Sequence, residues 1–245
     1  DAIDQQRLTP FLYYGIADST DLRDVPWRRG RGYDTAALSK LYTANESLGR
    51  MVVDQLARHV GSVQRMRALG FCVSIAHAQF MARVFQAAGI QAVAIWSDTP
   101  DAERARALSN LAEGTIQALF SVDLFNEGVD IPNVDTLLFL RPTDSPTLFL
   151  QQLGRGLRRH RNKSACTVLD FVGQHRREFR FDRTFRALLG GSRKDLIRQI
   201  EGGFPFLPAG CHMQLDPKAK ELVLRNVREA IPSQDRKSTR LNSSH

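Results

Sequence analysis

Between residues 65 and 173 the chain alternates short, nearly continuous apolar runs with stretches whose apolar positions recur at helical spacing. The runs Phe71–Ala76, Gln91–Trp96, Gln117–Val122, Val134–Leu140 and Ala165–Val172 predict strands buried on both faces. Between them, His77–Ala88 predicts a helix with Gly89 as its stop. A second helix is predicted from Asp101 to about Ala112, where Asp98 or Thr99 could cap and Pro100 suits the first turn. A third begins near Ser145. This alternation predicts an α/β fold, a parallel sheet with helices on both faces. Ligands of such sheets sit at the carboxyl ends of the strands. The polar clusters follow strand ends, and are expected to converge on one edge.

The flanks read differently. Residues 1–64 are expected to lead into the domain: a short strand at Phe11–Ile16, then a long arginine-rich connection through Trp27–Gly32, then one or two amphipathic helices over Glu46–Leu69. Trp27 beside arginines could stack on a base or pin the loop to the core. Residues 174–234 predict a mainly helical C-terminal extension, with helices over Gln174–Leu189, Lys194–Ile200 and Asp216–Ala230. Arg176, Arg180 and Arg183 would form a basic face there. Residues 235–245 read as translated sequencing adapter and are expected to be a non-native tail on a fragment of a longer protein.

Composition adds a sign of charge. The chain has 245 residues, with 34 Lys plus Arg against 26 Asp plus Glu, and stays basic without its last eleven residues. Polyanions are plausible partners. Three cysteines, Cys72, Cys166 and Cys211, have no paired spacing, which argues against a zinc site or disulfide framework. No apolar run approaches the roughly 20 residues a membrane span needs. The expected location is cytoplasmic, with no membrane partner.

The densest chemistry lies in Gln151–Arg161. Arg155 and Arg158 stand three apart, which on a helix puts both guanidinium groups on one face. Gly154 and Gly156 keep bulk away from whatever they meet. Guanidinium is permanently charged and presents a rigid fork of donors, so the pattern suits a polyphosphate. Taken alone, the stretch also fits a solvated basic helix end.

With each cluster following its own predicted strand, the chain resembles the second RecA-like domain of a superfamily-two helicase over about residues 65–173. Phe71–His77 is similar to motif IV, Ser97-Asp98-Thr99 to the turn usually carrying Gly, Ser121–Pro132 to motif V and Gln151–Arg158 to motif VI. More widely, Phe71–His77, Phe120–Gly128 and Leu169–Phe181 resemble large bacterial DEAD/DEAH-type helicases in which a helical region and an uncharacterised domain follow the motor. Ser97 departs from the family's glycine.

The resemblance implies roles position by position. Arg158 would be the arginine finger reaching the γ-phosphate of ATP, Arg155 a second phosphate contact and Gln151 a coupling residue. Gly128 would allow close backbone approach and Asp130 would bind the ribose or organise the cleft. Ser74, His77, Thr99 and Ser121 would touch a nucleic-acid backbone, DNA in the first instance with RNA left open. Asp130 could instead cap a turn, and His77 could be a satisfied interior histidine. The 245 residues contain no Gly-x-x-x-x-Gly-Lys followed by Ser or Thr and no Asp-Glu pair. ATP and Mg2+ are therefore expected to be held mainly by an N-terminal RecA-like domain of the same protein, and the chain alone is expected to be inactive. Two rivals stay open: a non-catalytic RecA-like nucleic-acid-binding module, and an unrelated doubly wound enzyme such as a nucleotide-sugar transferase.

Overall fold

The computed structural model describes residues 8–28, 30–122 and 133–229. The described residues form a seven-stranded sheet, wholly parallel, whose order is β5-β6-β4-β7-β8-β1-β9. Its strands are β1 (Phe11–Asp21), β4 (Ala68–Phe71), β5 (Ala92–Ile95), β6 (Ala118–Ser121), β7 (Thr136–Phe139), β8 (Cys166–Gln174) and β9 (His212–Leu215). A small antiparallel ribbon pairs β2 (Trp27–Arg28) with β3 (Gly32–Tyr33). The helices are α1 (Thr35–Thr43), α2 (Glu46–His59), α3 (Ile75–Ala87), α4 (Asp101–Glu113), α5 (Pro146–Gly156), α6 (Phe181–Leu189), α7 (Arg193–Glu201) and α8 (Pro217–Glu229).

Alternation along each strand divides the core in two. Phe11 and Tyr13, Leu69 and Phe71, Leu137 and Phe139, and Val168 pack on one face with Leu111 of α4, Phe149 and Leu153 of α5, Phe185 of α6 and Val223 of α8. Ile16, Ala68, Phe120, Leu138 and Leu169 pack on the other with Val52 and Leu56 of α2 and Met81 and Phe85 of α3. The topology requires this split. The connection from β4 to β5 moves outward in one direction, while those from β5 to β6 and from β7 to β8 move in the other. Right-handed crossovers then put α3 on the opposite face from α4 and α5.

The sheet reaches into both flanks. β1 runs eleven residues, longer than the expected short strand, and pairs with β8 from Phe11↔Cys166 and with β9 from Leu12↔His212. Residues 1–64 and 174–234 thus each supply a strand beside the five expected ones. Several local boundaries also move. The expected helix over Glu46–Leu69 ends at His59, and Ala68–Leu69 belong to β4. The apolar run Phe71–Ala76 is strand only at Phe71, because Ser74 caps α3 by accepting from His77 N at 3.1 Å. Gln174 closes β8 rather than opening a helix, and α6 begins at Phe181, so Arg176 and Arg180 precede that helix.

Candidate functional site

Because the strands are parallel, the segments after β4, β5, β6 and β7 leave the sheet at one edge. Ser74 sits there at the start of α3, and its Oγ also meets Ser39 Oγ of α1 at 2.6 Å. Thr99 is buried, and its Oγ1 accepts from Trp96 N at 2.9 Å, closing the turn after β5. Neither Asp98 nor Thr99 caps α4; Pro100 occupies the cap position, and Arg104 braces the turn by donating to the carbonyls of Ser97 and Thr99, each at 3.0 Å. Ser121 ends β6. Its backbone carbonyl accepts from Cys72 N at 2.9 Å, tying the β6 and β4 exits together, while its buried Oγ has no hydrogen-bond partner among the described residues. Gly128 and Asp130 lie outside the described residues.

His77 is only 2% exposed. Its ring stacks on Tyr42 at 4.9 Å and 5°, and its Nδ1 lies 3.4 Å from Val73 N, in position to accept from it. Burial lowers its pKa to about 4, so the ring is neutral near pH 7. The geometry is that of an interior histidine which fixes the loop after β4; a ring so enclosed presents no face to a phosphate.

The motif VI residues stand elsewhere, contrary to the expectation of a single edge. α5 starts at the β7 exit, where Ser145 Oγ accepts from Leu148 N at 3.3 Å. It then runs eleven residues back along the sheet, about 16 Å at 1.5 Å per residue. Its far end lies against the starts of β7 and β8: a Cβ on Gly156 would be 2.4 Å from Cys166 Sγ and 2.8 Å from Leu137 Cδ1. Gln151 is exposed, Gln152 buried, and Arg155 and Arg158 half-buried. α5 ends at Gly156, so Arg158 lies beyond the Leu157 cap rather than one helical turn along from Arg155. The two glycines differ. Gly154 faces open space, while Gly156 lets the helix press on the sheet.

Single polar residues that the sequence did not single out hold this end in place. Thr9 N donates to Leu157 O at 2.8 Å, and Thr9 Oγ1 donates to Arg158 O at 3.1 Å. Lys163 Nζ donates to Gly156 O at 3.0 Å and to Val134 O at 2.8 Å, so a cation satisfies the C-terminal carbonyl of α5. A lone threonine before a strand and a lysine in a basic run carry no signal of such a role.

In the extension, Arg180 forms a forked pair with Asp182 at 2.6 and 2.8 Å, and Arg176 reaches Glu178 at 3.4 Å. These two arginines of the expected basic face are therefore engaged within the chain. Among the described residues, no group of three His, Cys, Asp or Glu could hold a metal ion, and no helix is long and apolar enough to cross a membrane.

A seven-stranded parallel sheet with helices on both faces, its strand exits at one edge and the end of α5 at the other, is a RecA-like α/β fold. Residues 51–160 match the family described as helicase conserved C-terminal domain. The chain is 31% identical over 171 residues to the putative ATP-dependent helicase IRC3 of Saccharomyces cerevisiae, an overlap of 70% of this chain and 24% of that protein. It is 30% identical over 174 residues to a 51.5 kDa protein of a Lactococcus phage, covering 71% of this chain and 37% of that one. Among solved structures, the ATP-dependent Type ISP restriction-modification enzyme LlaBIII bound to DNA superposes with a TM-score of 0.53 at 16% identity, over 93% of this chain and 17% of that one. At that identity the likeness is one of fold. The chain spans about a quarter of the yeast relative and somewhat over a third of the phage relative.

Proposed function

We propose that the chain is the C-terminal motor half of an ATP-dependent helicase or translocase acting on nucleic acid, DNA in the first instance. The observation that carries this reading is the position of Arg155 and Arg158 at the far end of α5, inside the helicase C-terminal stretch and away from the strand exits. A motor that couples two polyanions needs two separated faces. In this reading Arg158 reaches the γ-phosphate of ATP, Arg155 makes a second phosphate contact, and Gln151 couples the cleft to movement. The strand exits, with Ser74, Thr99 and Ser121, meet the nucleic-acid backbone, while Asp130 binds the ribose or helps organise the cleft and Gly128 allows close backbone approach. His77 positions the Ser74 turn from within.

The donors suit ATP's phosphates but not its metal. Arginine offers fixed charge to developing phosphoryl charge, whereas the described residues offer no carboxylate cluster for Mg2+. ATP and Mg2+ would be held mainly by a preceding RecA-like domain of the same protein, and this chain would complete the site. In the motor unit, the sheet includes β1 and β9, and α6–α8 brace it.

The reading is tested by comparing this chain with a version extended N-terminally through the preceding domain. The expected result is negligible ATP hydrolysis by the chain alone and hydrolysis stimulated by single-stranded DNA in the extended protein. An extended protein that binds DNA but never hydrolyses ATP would favour the non-catalytic binding module instead.

A further inference from the structure

Beside the exits of β4 and β7 lies a cavity of about 450 Å³ that touches the motif runs named above only at Val73. The β2–β3 ribbon forms one wall, Val73 and the segment Arg141–Pro146 another, and Phe179 and Arg183 a third. The ribbon is firmly built. Trp27 packs edge-on against Tyr33 at 4.8 Å, Tyr33 Oη accepts from Arg176 N at 3.1 Å and lies 3.1 Å from His175 Nδ1, and Asp34 N donates to Pro26 O at 2.8 Å. Gly30 and Gly32, at φ of 81° and 78°, let its tip reverse. A wall held this way is in place before any ligand arrives, which lowers the ordering cost of binding.

Its chemistry is cationic. Arg31, Arg141 and Arg183 line the cavity against one carboxylate, Asp144, which feels Arg183 and Arg180. Arg31 and Arg183 are exposed, and among the described residues neither forms an ion pair. Trp27 is half-buried and packs against Tyr33 and Phe179, the contacts of a loop anchor. Lined by three arginines, the cavity suits phosphate recognition. Val73 joins it directly to the Ser74 turn, so it continues the strand-exit face.

We propose that this ribbon cavity is an accessory site for the phosphodiester backbone of a single nucleic-acid strand, gripped by Arg31 and Arg183 outside the helicase motifs. The inference rests on the reading of the chain as a nucleic-acid motor domain. Grip here is independent of sequence and extends the footprint past Ser74.

The chain has two tryptophans, so Trp96→Phe leaves Trp27 as a reporter in the cavity. In that background, a fluorescently labelled oligothymidine is titrated, following label anisotropy and Trp27 emission, for the otherwise native chain and for Arg31→Ala/Arg183→Ala. The expected result is a saturable change in Trp27 emission and weaker binding by the double variant. Losing two phosphate contacts lowers the salt slope by about 1.4, so the affinity ratio should shrink about sevenfold between 50 and 200 mM salt. Equal affinity and equal slope would overturn the inference while leaving the motor reading intact. Absence of binding by either protein would overturn both. Inorganic phosphate that reproduces the emission change at the same concentration would assign the cavity to a free anion and overturn the strand site.

Discussion

Gly156→Ala tests whether α5 is pressed onto the sheet as tightly as the geometry requires. The added Cβ would stand 2.4 Å from Cys166 Sγ, 2.8 Å from Leu137 Cδ1 and 2.9 Å from Leu137 Cγ. Cys166 and Leu137 are fully buried, so relief requires shifting the helix or the strands. Overpacking of this kind costs about 1–3 kcal/mol. Alanine returns up to about 1 kcal/mol of helix propensity, leaving a net loss of roughly 1–2 kcal/mol. For a chain of 245 residues, 1 kcal/mol moves Tm by about 2–4 °C. Gly156→Ala should therefore melt about 2–8 °C below the native chain when followed by circular dichroism. Gly154→Ala is the internal control: nothing stands within 4 Å of its Cβ position, so it should melt at or slightly above the native temperature. Adding Cys166→Ala to Gly156→Ala should recover part of the loss, with a coupling of at least about 0.5 kcal/mol. Gly156→Ala melting no lower than Gly154→Ala would refute the close approach, and with it the placement of Arg155 and Arg158 at the sheet's far end.

Two further variants probe the supports. Thr9→Val removes the Oγ1 donor to Arg158 O while keeping bulk, and should cost about 1 kcal/mol in denaturant unfolding; in a protein extended through the preceding domain it should also lower ATP turnover without weakening DNA binding, measured side by side. His77 has its pKa lowered from 6.5 to about 4 by burial. The unfolded state takes up its proton first, so His77 contributes stability that is complete above pH 6.5 and lost as pH falls toward 4. His77→Phe keeps an aromatic ring against Tyr42 and removes that titration, so urea unfolding across this range should lose about 3 kcal/mol less than the native chain loses.

Much of the α/β core was legible because burial on both faces leaves a plain mark: strands such as Gln117–Val122 and Val134–Leu140 read as unbroken apolar runs. Residues that merely end an element were harder. Ser74 lies within the run Phe71–Ala76 and looked like strand, yet its hydroxyl makes it a cap. The placement of β1 between β8 and β9 was not legible, because partners such as Phe11 and Cys166 are far apart in sequence and local patterning carries no such pairing. β9, four residues with two of them exposed, and α1, rich in small and polar residues, lacked a distinct period. At the candidate site, the spacing of Arg155 and Arg158 was visible, but the length of α5 decides which end of the sheet they occupy. The helix end at Gly156 then decides that they do not share a helical face.

The central claim is that the two ends of the sheet serve two different anions, nucleotide at Arg158 and nucleic acid at the strand exits. Its most direct test is Arg158→Ala in the protein extended through the preceding domain, measuring DNA-stimulated ATP turnover and oligonucleotide affinity on the same preparation. An arginine finger is worth about 10³–10⁵ in rate, so turnover should fall by at least about a thousandfold while affinity for DNA stays near the native value. Robust turnover, or lost DNA binding together with lost turnover, would contradict it.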